Sequence, residues 1–423
     1  MKLSQLQPRW FATAALFLSL WSCSEKLDSS AVCNILCPPI GGDVVTETFD
    51  AVVLDTTVQA LSGIGTEPSL LLATRGDTLE TRVIIRFDSL PATFVPAGDT
   101  AQPITSVDSA FVQLRLDTLS IKGSGLVTIE AYDVDTAAND TSSEAVLALF
   151  RPDRFISSQT YSRTELTDTL KYFIDNATVL SHVQNRTPLR IGLRATGLPN
   201  STQMRFLSSD ALASPMLLFR ATPDTMTKPL TVFPFSRTPV GDPILSHFLV
   251  DYMVVAKAPP PAPPTVLTVG GLPARRVYLR FDIPSRIIDS ATVVRATLLL
   301  NQLPNAALDP GDTLLVLPQI SLAGEAVADP TKAAQIISAI PRLELDTLKL
   351  KPGDAGITNV ELAPAFSLWR TQPADTLPRA IVLRSFGEAG SPLEIRFSSS
   401  EDVAALRPRL RISYTSRVPL GIP

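Results

Sequence analysis

The chain has 423 residues, more than one ordinary hydrophobic core accommodates and enough for two domains of typical size. Its formal net charge of −4 is made of interspersed acids and bases, with no basic stripe of the kind phosphate backbones require, so nucleic acid is excluded as a partner class. Hydrophobic residues make up 45% and there are 36 prolines, so the chain divides into short Val-, Ile-, Thr- and Leu-rich runs broken by Pro, Asp, Gly and Ser. That punctuation predicts an all-β protein with little helix.

The first predicted element is a targeting segment, residues 1–22, with Lys2 and Arg9 ahead of an apolar run from Trp10 to Trp21. The run is too short to cross a bilayer as a mature helix, which needs roughly 20 residues. Removing the segment takes away two bases and no acid, and the net charge moves from −4 to −6. The stretch "LWSC" (Leu20–Cys23) resembles the lipobox of bacterial lipoproteins, which implies lipidation of Cys23 and attachment to an outer membrane or cell surface. The chain has three cysteines. Lipidation of Cys23 would leave Cys33 and Cys37, either as a short disulfide in an oxidising compartment or as two free thiols in a flexible tether over residues 23–43.

Beyond the tether, one unit is written twice. "TRVIIRFDSLP" from Thr81 matches "RRVYLRFDIPS" from Arg275, and "VDSAFVQLRLD" from Val107 matches "VVRATLLLN" from Val293. "PLRIGLRA" from Pro188 matches "PRAIVLRS" from Pro378, and "MRFLSSDALASPMLLF" from Met204 matches "IRFSSSEDVAALRPRLRI" from Ile395. Four segments in one order at nearly one offset predict β-sandwich domains over residues 44–222 and 245–416, joined by a Pro/Thr-rich connector at 223–244 and followed by a tail at 417–423. The run from Pro259 to Pro264 falls between "FLVDYMVVAK" and "TVLTVGG", which answer to "FDAVVLDT" and "SLLLATRG" in the first unit. It is therefore expected to be a stiff loop inside the second domain. In the first motif, Val83, Ile85 and Phe87 face one way and Arg82, Ile84, Arg86 and Asp88 the other. Asp-Thr-Leu recurs six times, from Asp77, Asp117, Asp168, Asp312, Asp346 and Asp375, and marks turn edges next to strands. A short helix is predicted over Leu362–Gln372.

An apolar strand, the Arg-x-apolar-apolar-Arg-Phe-Asp motif, an Ala-x-Leu-x-Leu strand and the closing Arg-Phe-x-Ser-Ser-Asp/Glu segment together resemble DNRLRE-type jelly-roll domains. These are relatives of carbohydrate-binding modules on secreted bacterial proteins. The resemblance covers nearly all of both units and implies tandem antiparallel jelly-roll sandwiches.

Arg86 with Asp88, and Arg280 with Asp282, share strand faces. Each pair either forms an exposed salt bridge or offers an arginine fork to an acidic glycan. Asp133, Asp135, Asn139 and Asp140 in "YDVDTAAND" are oxygen donors of the kind calcium takes, or else a solvated turn. Tyr132 and Tyr278 are candidate exposed platforms for sugar rings, and Trp369 is either core or platform. His182 and His247 are the only histidines, and neither sits in a nucleophile or zinc pattern. The matched positions of the two units are mainly apolar, where a duplicated glycosidase would carry matched acids. The reading is a non-catalytic surface lipoprotein that displays an adhesive module for extracellular polysaccharide. The alternatives are a structural envelope or matrix protein that contacts other proteins, and a divergent polysaccharide-degrading enzyme.

Overall fold

The computed structural model describes residues 43–416 except 51, 61–64, 66, 97–99, 124, 135–141, 198–200, 212, 222–227, 240–248, 323–342, 372–378 and 389. The predicted targeting segment, Cys23, Cys33, Cys37, Asp135, Asn139, Asp140 and the predicted tail at 417–423 therefore lie outside the described residues.

The chain runs twice through a strand pair followed by a longer body. The first pair is β1 (Val45–Phe49) and β2 (Val52–Gln59). Its body holds β3 (Ser69–Arg75), β4 (Leu79–Phe87), β5 (Thr93–Phe94), β6 (Gln102–Pro103), β7 (Val107–Lys122), β8 (Val127–Asp133), β9 (Phe155–Tyr161), β10 (Thr169–Phe173), β11 (Leu189–Thr196), β12 (Ser201–Leu207) and β13 (Met216–Ala221). The second pair is β14 (Leu230–Val232) and β15 (Asp251–Lys257). Its body holds β16 (Val266–Gly270), β17 (Arg275–Phe281), β18 (Ala291–Leu303), β19 (Leu314–Leu322), β20 (Leu343–Glu344), β21 (Leu348–Leu350), β22 (Gly356–Glu361), β23 (Arg379–Ser385), β24 (Glu394–Ser398) and β25 (Arg409–Ser416). Helices are short: α1 (Ser143–Leu147), α2 (Asn176–Asn185), α3 (Ser285–Ser290) and α4 (Ala363–Thr371), the last on the segment predicted from sequence.

All strand pairings that join the large sheets are antiparallel, and they build two sandwich-like bodies. In the first, β4 lies between β11 and β15, while β7 pairs with β10, β12 and β13. In the second, β17 lies between β23 and β2, while β18 pairs with β22, β24 and β25. The alternation in the opening motif holds for the inner face: Val83, Ile85 and Phe87 join the first core, and Val277 and Leu279 the second. The opposite face of β4 is covered as well, because Ile84 packs with Tyr132, Val134, Val146, Leu249, Tyr252 and Val254. Of the Asp-Thr-Leu sites, Asp77 and Asp168 fall at turns or bends before strands as predicted. Asp117 does not; it lies inside β7, where the register with β12 shifts and Ser120 Oγ donates to the Asp117 carbonyl at 2.6 Å. This is a bulge, an extra stretch in one strand that its partner does not match.

The two bodies do not follow the sequence boundaries at 44 and 245. The second pair docks on the first body, β14 on β13 and β15 on β4. The first pair docks on the second body, β1 on β25 and β2 on β17. The first sandwich is thus completed by β14, from the predicted connector, and by β15, which opens the second unit, while the second is completed by β1 and β2, which open the first. The Pro259–Pro264 run, expected inside the second domain, instead connects β15 in the first sandwich to β16 in the second. The sequence match aligned β15 with β2 correctly, but strand pairing is made of backbone hydrogen bonds and leaves no mark of which equivalent neighbour is chosen.

Side chains tie the sandwiches together where they meet. Arg75 grips Asp309 through both terminal nitrogens, at 2.5 and 3.0 Å, and Lys122 reaches the same carboxylate at 2.7 Å. Burial works to raise the Asp309 pKa, yet Arg75 and Lys122 together hold it below the ordinary value. Leu272 and Leu308 of the second unit complete the first unit's hydrophobic core.

Candidate functional site

The aromatic side chains singled out as sugar platforms are buried. Tyr132 is 7% exposed and packs against Phe150 and Phe155, with ring centroids 5.3 and 5.8 Å away. Its hydroxyl donates to Glu130 at 2.8 Å, and burial followed by the Glu130 carboxylate raises its pKa. Tyr278 is 0% exposed among Val58, Ala380 and Val382. Trp369 on α4 is 1% exposed and meets Phe366 edge to face at 5.1 Å, which settles core over platform. Alternation marks which residues share a strand face, but it does not reveal that both faces of β4 and β17 are covered.

The arginine motif also departs from the exposed pairs expected of it. Arg86 is buried, stacks on Tyr252 at 5.1 Å, and donates to the Tyr252 hydroxyl at 3.2 Å and to Ser236 Oγ at 3.4 Å. Asp88 is gripped by Arg190, whose Nε and Nη2 each lie 2.8 Å from a carboxylate oxygen, and it accepts the Arg237 N–H at 2.9 Å. Burial would raise the Asp88 pKa, but these partners bring it below the ordinary value. In the second unit Arg280 is half-buried and Asp282 exposed, and among the described residues they form no ion pair. Asp133 ends β8, with one carboxylate oxygen 3.8 Å from His182 Nε2. Among the described residues, no group of three or more His, Cys, Asp and Glu side chains is placed to hold a metal.

The repeated closing segment carries a constellation that the sequence only half disclosed. Ser209, in the turn after β12, donates its N–H and its hydroxyl to the two carboxylate oxygens of Asp251, at 2.7 and 2.8 Å. Ser400, in the turn after β24, donates its N–H and its hydroxyl to Asp55 in the same way, the hydroxyl at 2.7 Å. The preceding serine caps each turn: Ser208 Oγ accepts from the Asp210 N–H and Ser399 Oγ from the Glu401 N–H, both at 3.2 Å. Asp251 lies on β15 and Asp55 on β2, so each closing turn clasps the strand contributed by the other sequence unit. Asp251 is buried. Desolvation pushes its pKa up to about 6, against the pull of the two Ser209 hydrogen bonds. The sequence matched Asp210 with Glu401, but the working pair is Ser209 with Ser400, whose ligands arrive from elsewhere in the chain. The signal was present in the aligned segments "VVLDT" and "LVDYM", which each hold one aspartate.

Phe155, Phe173, Phe233, Phe235 and Phe386 are exposed, and on one sheet face two aromatics lie in a cross-strand row. Phe173 on β10 lies opposite Phe111 on β7, which lies opposite Leu218 on β13. Phe173 is 57% exposed, 6.1 Å from the Phe111 ring, and Lys171 sits 5.2 Å over Phe111. The corresponding row of the second sandwich is Glu361, Thr297 and Arg411, with no aromatic.

No family model matches the chain, and no curated protein does. Among solved structures, the infectious bursal disease virus VP2 subviral particle is similar at 12% identity, over 91% of this chain and 82% of that one, with a TM-score of 0.12. T=1 particles derived from infectious bursal virus are similar at 11% identity, over 88% and 74%, with a TM-score of 0.11. Likenesses at such TM-scores carry no argument about fold or function.

Proposed function

We propose that the chain is an exported, lipid-anchored surface protein without catalytic activity, serving as a structural module whose two sandwiches contact other proteins. One observation carries the choice over polysaccharide display: of the side chains read as sugar contacts, Tyr132, Tyr278, Trp369 and Arg86 are buried and Arg280 is half-buried. A sugar platform needs an aromatic face open to solvent. The anchor rests on the "LWSC" stretch, and mass spectrometry of the mature N-terminus tests it, an unmodified Cys23 overturning it. For the function itself, crosslinking on intact cells should recover protein partners, while a glycan array on the mature chain should stay blank. Saturable binding to any glycan overturns the structural reading.

The polysaccharide reading retains one specific support, the Phe173–Phe111–Leu218 row on the first sandwich. Should a glycan bind, Phe173→Ala ought to weaken that binding while leaving the far-ultraviolet spectrum unchanged. Binding that persists in Phe173→Ala places the sugar elsewhere.

A further inference from the structure

The second sandwich is closed with less side-chain burial than the first. In the first, the closing strand β15 buries Asp251, Tyr252, Met253 and Val254. In the second, β2 buries Val58 as its single fully covered side chain, and Val53 is 56% exposed. β1 beside it has no fully buried residue, and Val45 is 40% exposed. This pair is held instead by backbone pairing along β17 and β25 and by a few polar contacts. Asp55 is clasped by Ser400, Thr46 Oγ1 lies 2.8 Å from Ser413 Oγ, and Glu47 meets Arg286 at 2.8 Å and the Tyr414 hydroxyl at 2.6 Å.

All these contacts are made by residues 45–59 as a unit. They bind a body whose other strands come from residues 266–416, at the opposite end of the chain. The first body is completed by the strand pair that follows it in sequence, β14–β15. The second body is completed by the pair that precedes the first body, β1–β2. A second copy carries the same pair with the same register and the same aspartate, so it can occupy that place without any new contact. Only effective concentration favours the chain's own strands, and vacating the place exposes β17 and β25 as open edges, which template strand addition.

We infer that residues 45–59 are an exchangeable donor segment, and that the strand edges of β17 and β25 accept this segment from a second copy of the chain, linking copies by strand exchange. The contact is head to tail: the donor lies at the start of one chain and the acceptor at the end of another, an arrangement that either closes into a ring or propagates. The inference rests on the structural reading above, in which copies anchored side by side on one membrane meet at high local concentration.

Cysteine trapping in the full mature chain, with the native cysteines replaced by serine, tests it. Thr46 and Ser413 are directly opposed in the β1–β25 register, so Thr46→Cys and Ser413→Cys are made as separate variants, mixed under mild oxidation after a brief thermal cycle, and run without reductant. Exchange gives a disulfide-linked heterodimer that increases with protein concentration and is lost in mixtures of either variant with the cysteine-free chain. The double variant reports closure within one chain and should form an internal bridge. An internal bridge without any heterodimer at any concentration overturns the inference. Absence of both bridges, in variants with native circular dichroism, overturns it too, since β1 then does not occupy β25. Failure here leaves the structural reading open to cell-surface crosslinking. Glycan binding, conversely, would sink that reading and leave the exchange result standing.

Discussion

The two sandwiches use one clasp in two different settings. At the first, Asp251 is buried beside Tyr252, whose ring lies under Arg86 and whose hydroxyl Arg86 reaches. At the second, Asp55 is half-buried and its neighbour is Thr56. The clasp geometry, an aspartate receiving N–H and hydroxyl from one serine, is the same, with hydroxyl bonds of 2.8 and 2.7 Å. A hydrogen-bonded contact is thus copied unchanged through a duplication, while the apolar cover that sets its strength differs with the residues alongside it. Closure of the first sandwich is built mainly from burial, and closure of the second mainly from backbone pairing.

This contrast can be broken most severely at Asp88 and Arg190, a buried pair that the second unit lacks, because Ala380 stands where the first has Arg190 in the matched strands. Asp88→Ala removes the buried carboxylate that takes two Arg190 nitrogens and the Arg237 N–H, and should destabilise the first sandwich by about 3–5 kcal/mol, read as a lower denaturant midpoint. Trp369 is the only tryptophan beyond residue 22 and sits in the second core, so its fluorescence reports the second sandwich separately and should move less.

Next in size come the residues beside the two clasps. Tyr252→Ala removes a buried ring and its arginine contact, with an expected loss of roughly 3 kcal/mol, whereas Thr56→Ala should cost less than about 0.5 kcal/mol. Equal losses at the two positions would show that burial is not what separates the closures.

The Asp251 carboxylate gives a pH signature. With its pKa pushed up to about 6 by burial, Asp251 holds a proton in the folded state that the unfolded chain releases near 3.8. Its contribution to stability is therefore complete below the unfolded value and is lost as pH rises from about 4 to 6, with a slope of at most about 1.4 kcal/mol per pH unit. Asp251→Asn should flatten that segment of the stability profile. A profile unchanged by the substitution would place the titrating group elsewhere.

The smallest effect belongs to Arg286, which reaches Glu47 on β1 from an exposed position. Arg286→Ala should leave the melting temperature within error, as exposed ion pairs contribute little and are screened by salt. A large shift would mean that β1 depends on this contact more than on its pairing with β25.

Much of the architecture was legible because strands write a two-residue period and turns write Asp, Gly and Pro. The matched motifs marked Val83, Ile85 and Phe87, and their counterparts Val277 and Leu279, as core facing, and α4 fell on its predicted segment. The candidate sites were read less well. Tyr132, Tyr278 and Arg86 looked outward from strands whose outer faces are covered by a second small cluster or by the connector near Ser236. A strand pattern shows which residues share a face, but the cover over that face comes from distant residues.

The sequence alone determined the all-β class, the duplication, the core faces and the equivalence of the two clasp segments. Only the tertiary structure decided that β1–β2 close the second sandwich and β14–β15 the first, and that Pro259–Pro264 spans the two. The physical reason is that two matched units present two matched acceptor edges. Backbone hydrogen bonds cannot tell them apart, so the pairing is visible only in three dimensions.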